Sequence, residues 1–194
     1  MILRTVHTFQ DCDAISEIVI VTREDLILPI TDLCRECPKV KAVVCGGKSR
    51  QESVTRGLNA LSDKVKLAAI HDGARPLITW EVIDRAVRAA NTYGAAAPAI
   101  PVKDTIKMVE GRIVKNTPDR STLFAVQTPQ VFDFDLLRGA LKKAEADGAT
   151  VTDDCSAVER LGMSIKMVEG DERNIKVTTP LDLAIAKLLL EEMK

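Results

Sequence analysis

"EIVIVTREDLILPITDLCRECPKVKAVVC", residues 17–45, is a β-branched run, an amphipathic stretch and a second β-branched run. That succession reads as one βαβ unit, in which a helical crossover returns the chain to lie beside its first strand. The rhythm continues outward: "RQESVTRGLNAL" (50–61) reads as a helix, "LAAIHD" (67–72) as a strand and "TWEVIDRAVRAANTYG" (79–94) as a helix. The strands are short and almost wholly apolar, as a parallel sheet covered by helices on both faces requires. The pattern predicts an α/β class, with a doubly wound, mostly parallel sheet. In the helix from 79, Thr79 stands at the expected N-cap, and Val82, Ile83, Ala86, Val87 and Ala90 share one core-facing stripe.

The rhythm breaks at "PVKDTIKMVEGRIVKNTPDR" (101–120), where two alternating runs flank Glu110-Gly111. This predicts a β-hairpin with a polar face, projecting from the main sheet, and residues 101–122 are expected to serve as a dimerisation arm. "DFDLLRGALKKAEADG" and "TDDCSAVERLG" follow as helices, "SIKMVEG" as a strand, and a last helix opens at Pro180 after a threonine cap. With no internal repeat or linker, residues 1–194 read as a single domain.

Lys plus Arg number 27 and Asp plus Glu 28, a formal charge of −1, so nothing global draws the chain to nucleic acid or an anionic membrane. No apolar run reaches the roughly 20 residues of a bilayer span, and "MILRTVHTFQ" lacks the features of a secretory signal. A cytoplasmic location is expected. The five scattered cysteines fit reduced thiols, and "CREC" (34–37) has no second pair or nearby histidine to complete a zinc set.

In an open parallel sheet, ligands bind beyond the carboxyl ends of the strands, so polar residues just after strands are the candidates. "GGKSRQES" after "KAVVC" offers two glycines and a helix start, with free backbone N–H groups suited to a base or phosphate, or a plain tight turn. "HDGARP" offers Asp72, a ligand for a hard divalent cation, and Arg75, a phosphate clamp, or else a local ion pair stiffening the loop. His71 reads as a packed residue rather than a base. Arg120 in "TPDRST" and Lys176 in "NIKVTT" stand in short polar settings that could converge on a phosphate, whereas Lys103, Lys107 and Lys115 read as a solvated face. Asp153 and Asp154 fall where carboxylates cap a helix. The Gly-x-Ser-x-Gly signature of a serine hydrolase is absent.

Taken in order, "GGKSRQESV", "HDGARP", "PVKDTIK", "TPDRSTLFAVQTPQ", "GATVTDD" and "VEGDERNIKVTTPLDLAIA" resemble the 2-C-methyl-D-erythritol 4-phosphate cytidylyltransferase family over essentially the whole chain. The resemblance implies a Rossmann-like nucleotidyltransferase fold, a homodimer with exchanged β-arms, and Mg²⁺-dependent attack of the polyol phosphate on the α-phosphate of CTP, in non-mevalonate isoprenoid biosynthesis. It also implies that Gly47 and Ser53 meet the cytosine, and that Asp72 and Gly73 lie beside ribose, phosphates and metal. Arg75, Thr105, Arg120, Thr128 and Lys176 would surround the methylerythritol phosphate, with Arg120 and Lys176 positioning its attacking phosphate. In the family, Thr105 and Arg120 reach the partner's site.

The chain departs from the pattern at its start. The family opens with a strand and a Gly-rich loop of the form A-A-G-x-G-x-R, followed by a P-K-Q segment, whereas "MILRTVHTFQ" matches the helix that comes after them. About 30 residues of a βαβ unit are therefore expected to be absent, including two charges and the triphosphate cradle. That predicts low activity. It also predicts two strands with unpaired edges. A ribitol 5-phosphate cytidylyltransferase and a non-catalytic dimerisation or binding domain stand as alternatives.

Overall fold

The computed structural model describes residues 1–192. Helix α1 (Ile2–Gln10) leads into β1 (Ile18–Thr22), α2 (Ile27–Leu33), β2 (Val40–Cys45) and α3 (Arg50–Asn59). Then come β3 (Leu67–Ile70), α4 (Trp80–Tyr93) and β4 (Ala95–Pro101). The hairpin β5 (Met108–Glu110) and β6 (Ile113–Asn116) precedes β7 (Phe124–Val126) and β8 (Gln130–Asp133), and the chain ends with α5 (Phe134–Ala146), α6 (Asp154–Glu159), β9 (Lys166–Glu169) and α7 (Pro180–Glu192).

β1 and β2 pair in parallel, as the opening stretch predicts. In the larger sheet β4 is central: β9 lies parallel to it on one edge, while β7 and β8 run antiparallel along the other. β8 also pairs antiparallel with β3, so β3, β4 and β9 point the same way and the β7–β8 line alone opposes them. The α/β class and the mostly parallel direction of the sheet stand. The reversed strand inside "LFAVQTPQVF" is an addition that the sequence reading lacks.

Alternation along β4 explains how helices cover both faces. Ala95 and Ala97 pack with Phe132, Leu137, Leu141, Val158 and Leu58 under α3, α5 and α6, whereas Ala96 packs with Val131, Ala86 and Ala90 under α4. α1 closes the α4 side, where Phe9 meets Val82 and Ile83. The stripe foreseen on α4 is buried, with Val87 half-buried. Thr79 is the N-cap in extended backbone, but its side chain makes no cap hydrogen bond.

Among the described residues, β1 and β3 each have a ladder on one edge only, so the chain forms a two-stranded and a five-stranded sheet. A cavity of about 670 Å³ is lined by both strands together with Phe9, Val54, Leu58 and Val131. The β5–β6 hairpin forms a separate pair around Gly111, with every residue of both strands exposed. No helix of the described residues is long and apolar enough to cross a membrane.

Candidate active site

Two loops at strand ends build the site. The first follows β2, where the Ser49 side chain caps α3 by accepting from Glu52 N, and Ser53 Oγ accepts from Gly47 N at 3.0 Å while donating to Ser49 O. Glu52 folds back to accept from Lys48 N at 2.7 Å. This wrapping makes glycine necessary at 47, because a Cβ there would lie 2.3 Å from the Glu52 side chain. The predicted pair Gly47 and Ser53 is thus brought into direct contact.

The second loop follows β3. Asp72 N donates to Thr128 Oγ1 at 3.1 Å, and Arg75 N closes a turn onto Asp72 O. Gly73 O accepts from Thr5 of α1 at 3.4 Å. Lys176 Nζ lies 2.9 Å from Asp72 Oδ2, and Arg75 Nε lies 3.8 Å from the same oxygen. The segment carrying Lys176 is pinned here by Val177 N donating to Ala74 O at 2.8 Å. Asp72, Gly73, Arg75, Thr128 and Lys176 therefore converge on one corner at the carboxyl end of β3.

Burial would raise the Asp72 pKa, but the hydrogen bond and charge of Lys176, with the charges of Arg75 and Arg50, hold it below the usual carboxylate value. Burial lowers the Arg75 pKa, partly offset by Asp72. Arg75 Nη1 donates to Asn174 O at 2.6 Å, while its buried Nε, 3.8 Å from Asp72, makes no hydrogen bond. The guanidinium keeps donor capacity for an anion.

His71 is a packed residue, as expected. Its ring tilts against Phe9 at 4.9 Å, Nδ1 lies 3.0 Å from Thr128 Oγ1, and burial lowers its pKa to about 4. It is neutral near pH 7. Asp153 also meets its expectation, capping α6 through Ser156 N in a capping box.

Asp154 does not cap. Its side chain is fully buried and its Oδ2 meets Arg50 Nη2 at 2.5 Å. Burial pushes the Asp154 pKa up against the pull of Arg50, and the Arg50 pKa is raised by Asp154, Asp72 and Asp153 despite its own burial. Arg50 thereby ties the start of α3 to α6 and lies in the field of Asp72. Nothing local in the sequence announces this pair.

Thr105 and Arg120 are exposed on the arm, and neither makes a hydrogen bond or ion pair with the Asp72 corner of the same chain. Arg120 Nη1 donates instead to Lys103 O at 2.7 Å, and Lys103 pairs with Glu172 at 2.5 Å. Lys107 and Lys115 are taken up within the hairpin, by Thr117 and Glu110.

Among the described residues, no group of three or more His, Cys, Asp or Glu could by itself hold a metal ion. Asp72 is the carboxylate at the corner. A single carboxylate can give oxygen ligands to a hard divalent cation, whose remaining ligands would have to come from outside the chain.

The sequence profile of the family described as "IspD: 2-C-methyl-D-erythritol 4-phosphate cytidylyltransferase" matches residues 1–192. The chain belongs to this family. It is 43% identical over 196 residues to the 2-C-methyl-D-erythritol 4-phosphate cytidylyltransferase of Caldanaerobacter subterraneus subsp. tengcongensis, covering 97% of this chain and 85% of that protein. It is 44% identical over 193 residues to the enzyme of the same name from Symbiobacterium thermophilum, covering 99% and 81%. The crystal structure of the 4-diphosphocytidyl-2C-methyl-D-erythritol synthase of Anaerococcus prevotii superposes with a TM-score of 0.92 at 31% identity, covering 98% of this chain and 85% of that one. The Rossmann-like nucleotidyltransferase fold is that of the family.

Proposed function

We propose that the chain transfers the cytidylyl group of CTP to 2-C-methyl-D-erythritol 4-phosphate, releasing pyrophosphate, in non-mevalonate isoprenoid biosynthesis. The observation that carries the reading is the convergence of Asp72, Arg75, Thr128 and Lys176 at the end of β3, in a chain whose family bears this activity.

Gly47 and Ser53 receive the cytosine in the loop braced by Ser49 and Glu52. Asp72 and Gly73 face ribose and phosphates, with Arg75 and Thr128 on the polyol phosphate. A phosphate oxygen of the polyol attacks the α-phosphorus of CTP. One P–O bond forms, the α–β P–O bond breaks, and its electron pair leaves on pyrophosphate. Two anions must be held together for this, so the chain's work is positioning and charge stabilisation by Lys176 and Arg120. No base is needed, since the attacking phosphate is already an oxyanion, and His71 is neutral and turned toward Thr128. Asp72 would hold Mg²⁺, which when bound offsets charge on the triphosphate.

A homodimer completes the site. Arg120 and Thr105 make no hydrogen bond or ion pair with their own chain's corner, and they flank a hairpin whose Met108, Val109, Ile113 and Val114 are exposed, so the arm is read as serving a partner copy. We read the reaction as a cytoplasmic one.

The test is Mg²⁺-dependent pyrophosphate release from CTP with methylerythritol 4-phosphate, alongside equilibrium titration of each ligand. Metal-dependent binding of both supports the reading. A chain that dimerises but binds neither would be the non-catalytic alternative, and equal use of ribitol 5-phosphate would favour its relative.

A further inference from the structure

We propose that Asn174, backed by Gln127, is the positioning residue of the phosphate corner, fixing Arg75, Thr128 and Lys176 relative to one another. The inference rests on the reading of the site given above. Asn174 is fully buried. Its Nδ2 donates to Thr128 O at 3.0 Å and to Gln127 Oε1 at 3.3 Å, and its own carbonyl accepts from Arg75 Nη1 at 2.6 Å. Lys176 follows two residues later. Asn174 therefore contacts both Arg75 and Thr128 and stands two residues before Lys176 in the same loop.

The need for such a brace is visible in the backbone. Between β9 and α7 the chain has no regular secondary structure, so its buried peptide groups require other partners. Gln127, 4% exposed, supplies them: Nε2 donates to Asp171 O at 2.8 Å and Oε1 accepts from Asp171 N at 3.2 Å. Its amide acts as a strand partner would, pairing both groups of one residue. Gly170 permits the close approach, since a Cβ there would lie 2.6 Å from Gln127 Oε1 and 3.2 Å from the Ala99 backbone.

The Asn174 amide is not there to satisfy itself, because its buried Oδ1 has no partner. The side chain's hydrogen bonds all run through Nδ2, the shorter of them to Thr128 O. That donation ties the loop of Lys176 to the segment of Thr128, and the Asn174 carbonyl sets the Arg75 fork.

The experiment compares wild type with Asn174→Ala, Asn174→Asp and Gln127→Glu by titration with methylerythritol 4-phosphate and CTP, and by amide hydrogen exchange over residues 171–177. Asn174→Asp is nearly isosteric but cannot donate to Thr128 O. It should weaken methylerythritol 4-phosphate binding about tenfold or more, change CTP binding less than about twofold, and speed exchange over 171–177. Gln127→Glu should act in the same direction and serves if the Asn174 variants fold poorly. Wild-type behaviour of Asn174→Asp, or equal weakening of both ligands, overturns the positioning role. If wild type binds no methylerythritol 4-phosphate, the functional reading fails separately, and unaltered exchange over 171–177 in Asn174→Asp would still overturn the brace.

Discussion

The ammonium of Lys176 lies 2.9 Å from the Asp72 carboxylate, and this contact governs the charge balance of the corner. With Lys176 in place Asp72 stays ionised below the ordinary carboxylate range, against the opposing effect of burial. The same lysine is read as meeting the incoming phosphate, so substrate and Asp72 share one cation.

Lys176→Met should therefore do two things. Turnover falls by about 10² or more, the typical cost of losing one preorganised charge donor. The acid limb of the pH profile also moves upward, because a carboxylate whose folded pKa was depressed loses the group that depressed it. A pH–rate series on both proteins checks this, and an unmoved acid limb would detach Asp72 from the chemistry.

Arg120→Ala and Lys176→Met should complement each other in mixed dimers. Each homodimer is crippled at both sites, but a mixed dimer joins one intact corner to one intact arm. Random mixing should restore about a quarter of wild-type sites, given a two-fold dimer. Recovery of activity on mixing separately purified, subunit-exchanged proteins is the readout. No recovery means that Arg120 serves its own chain.

His71 makes stability depend on pH in a defined window. Its folded pKa, lowered by burial to about 4, lies below the ordinary 6.5. The unfolded chain therefore takes up the proton first, and stability is lost as pH falls from 6.5 toward 4, by about 3 kcal/mol in all. Urea midpoints for wild type and His71→Gln should converge in their pH dependence except within this window, where wild type alone carries the extra loss.

Removing Arg50 should cost more than neutralising Asp154. Arg50→Ala leaves a fully buried carboxylate without its cation, a change that costs about 3–5 kcal/mol in other buried pairs. Asp154→Asn, which keeps the shape and removes the charge, should cost less. Urea denaturation orders the two, and the reverse order would show that the pair is not electrostatically coupled.

Much of this was legible in the sequence where the signal is local. β1, β2, β3 and the stripe of α4 follow from apolar runs and periodicity, and the hairpin from alternation around Gly111. Asp72, Arg75 and the Gly46-Gly47 pair were singled out because they stand just after strands, whereas Ser53, inside α3, was named only through the family resemblance. What escaped depends on partners far along the chain. The antiparallel β8 lies in a stretch whose Gln127, Thr128 and Gln130 interrupt its apolar pattern, and those polar residues are buried because they bind the backbone of other loops and α6. Arg50–Asp154 and Asn174–Thr128 give no local sign, since a buried ion pair and a buried amide look on paper like any surface polar residue. Thr79 shows the opposite error, a good cap residue at a helix start whose hydroxyl is not used.

The cavity between β1 and β3 separates the two halves of the site. Gly47 and Ser53 belong to the β1–β2 side, and Asp72, Arg75, Thr128 and Lys176 to the other. Within a continuous sheet the spacing of two strand ends is set by rigid rungs of about 4.8 Å. Here side chains of α1 and α3, among them Phe9, Val54 and Leu58, line the cavity beside β1 and β3. The Gly47–Ser53 side and the Asp72 corner are thus joined through packed side chains and loops rather than through rungs of one shared ladder.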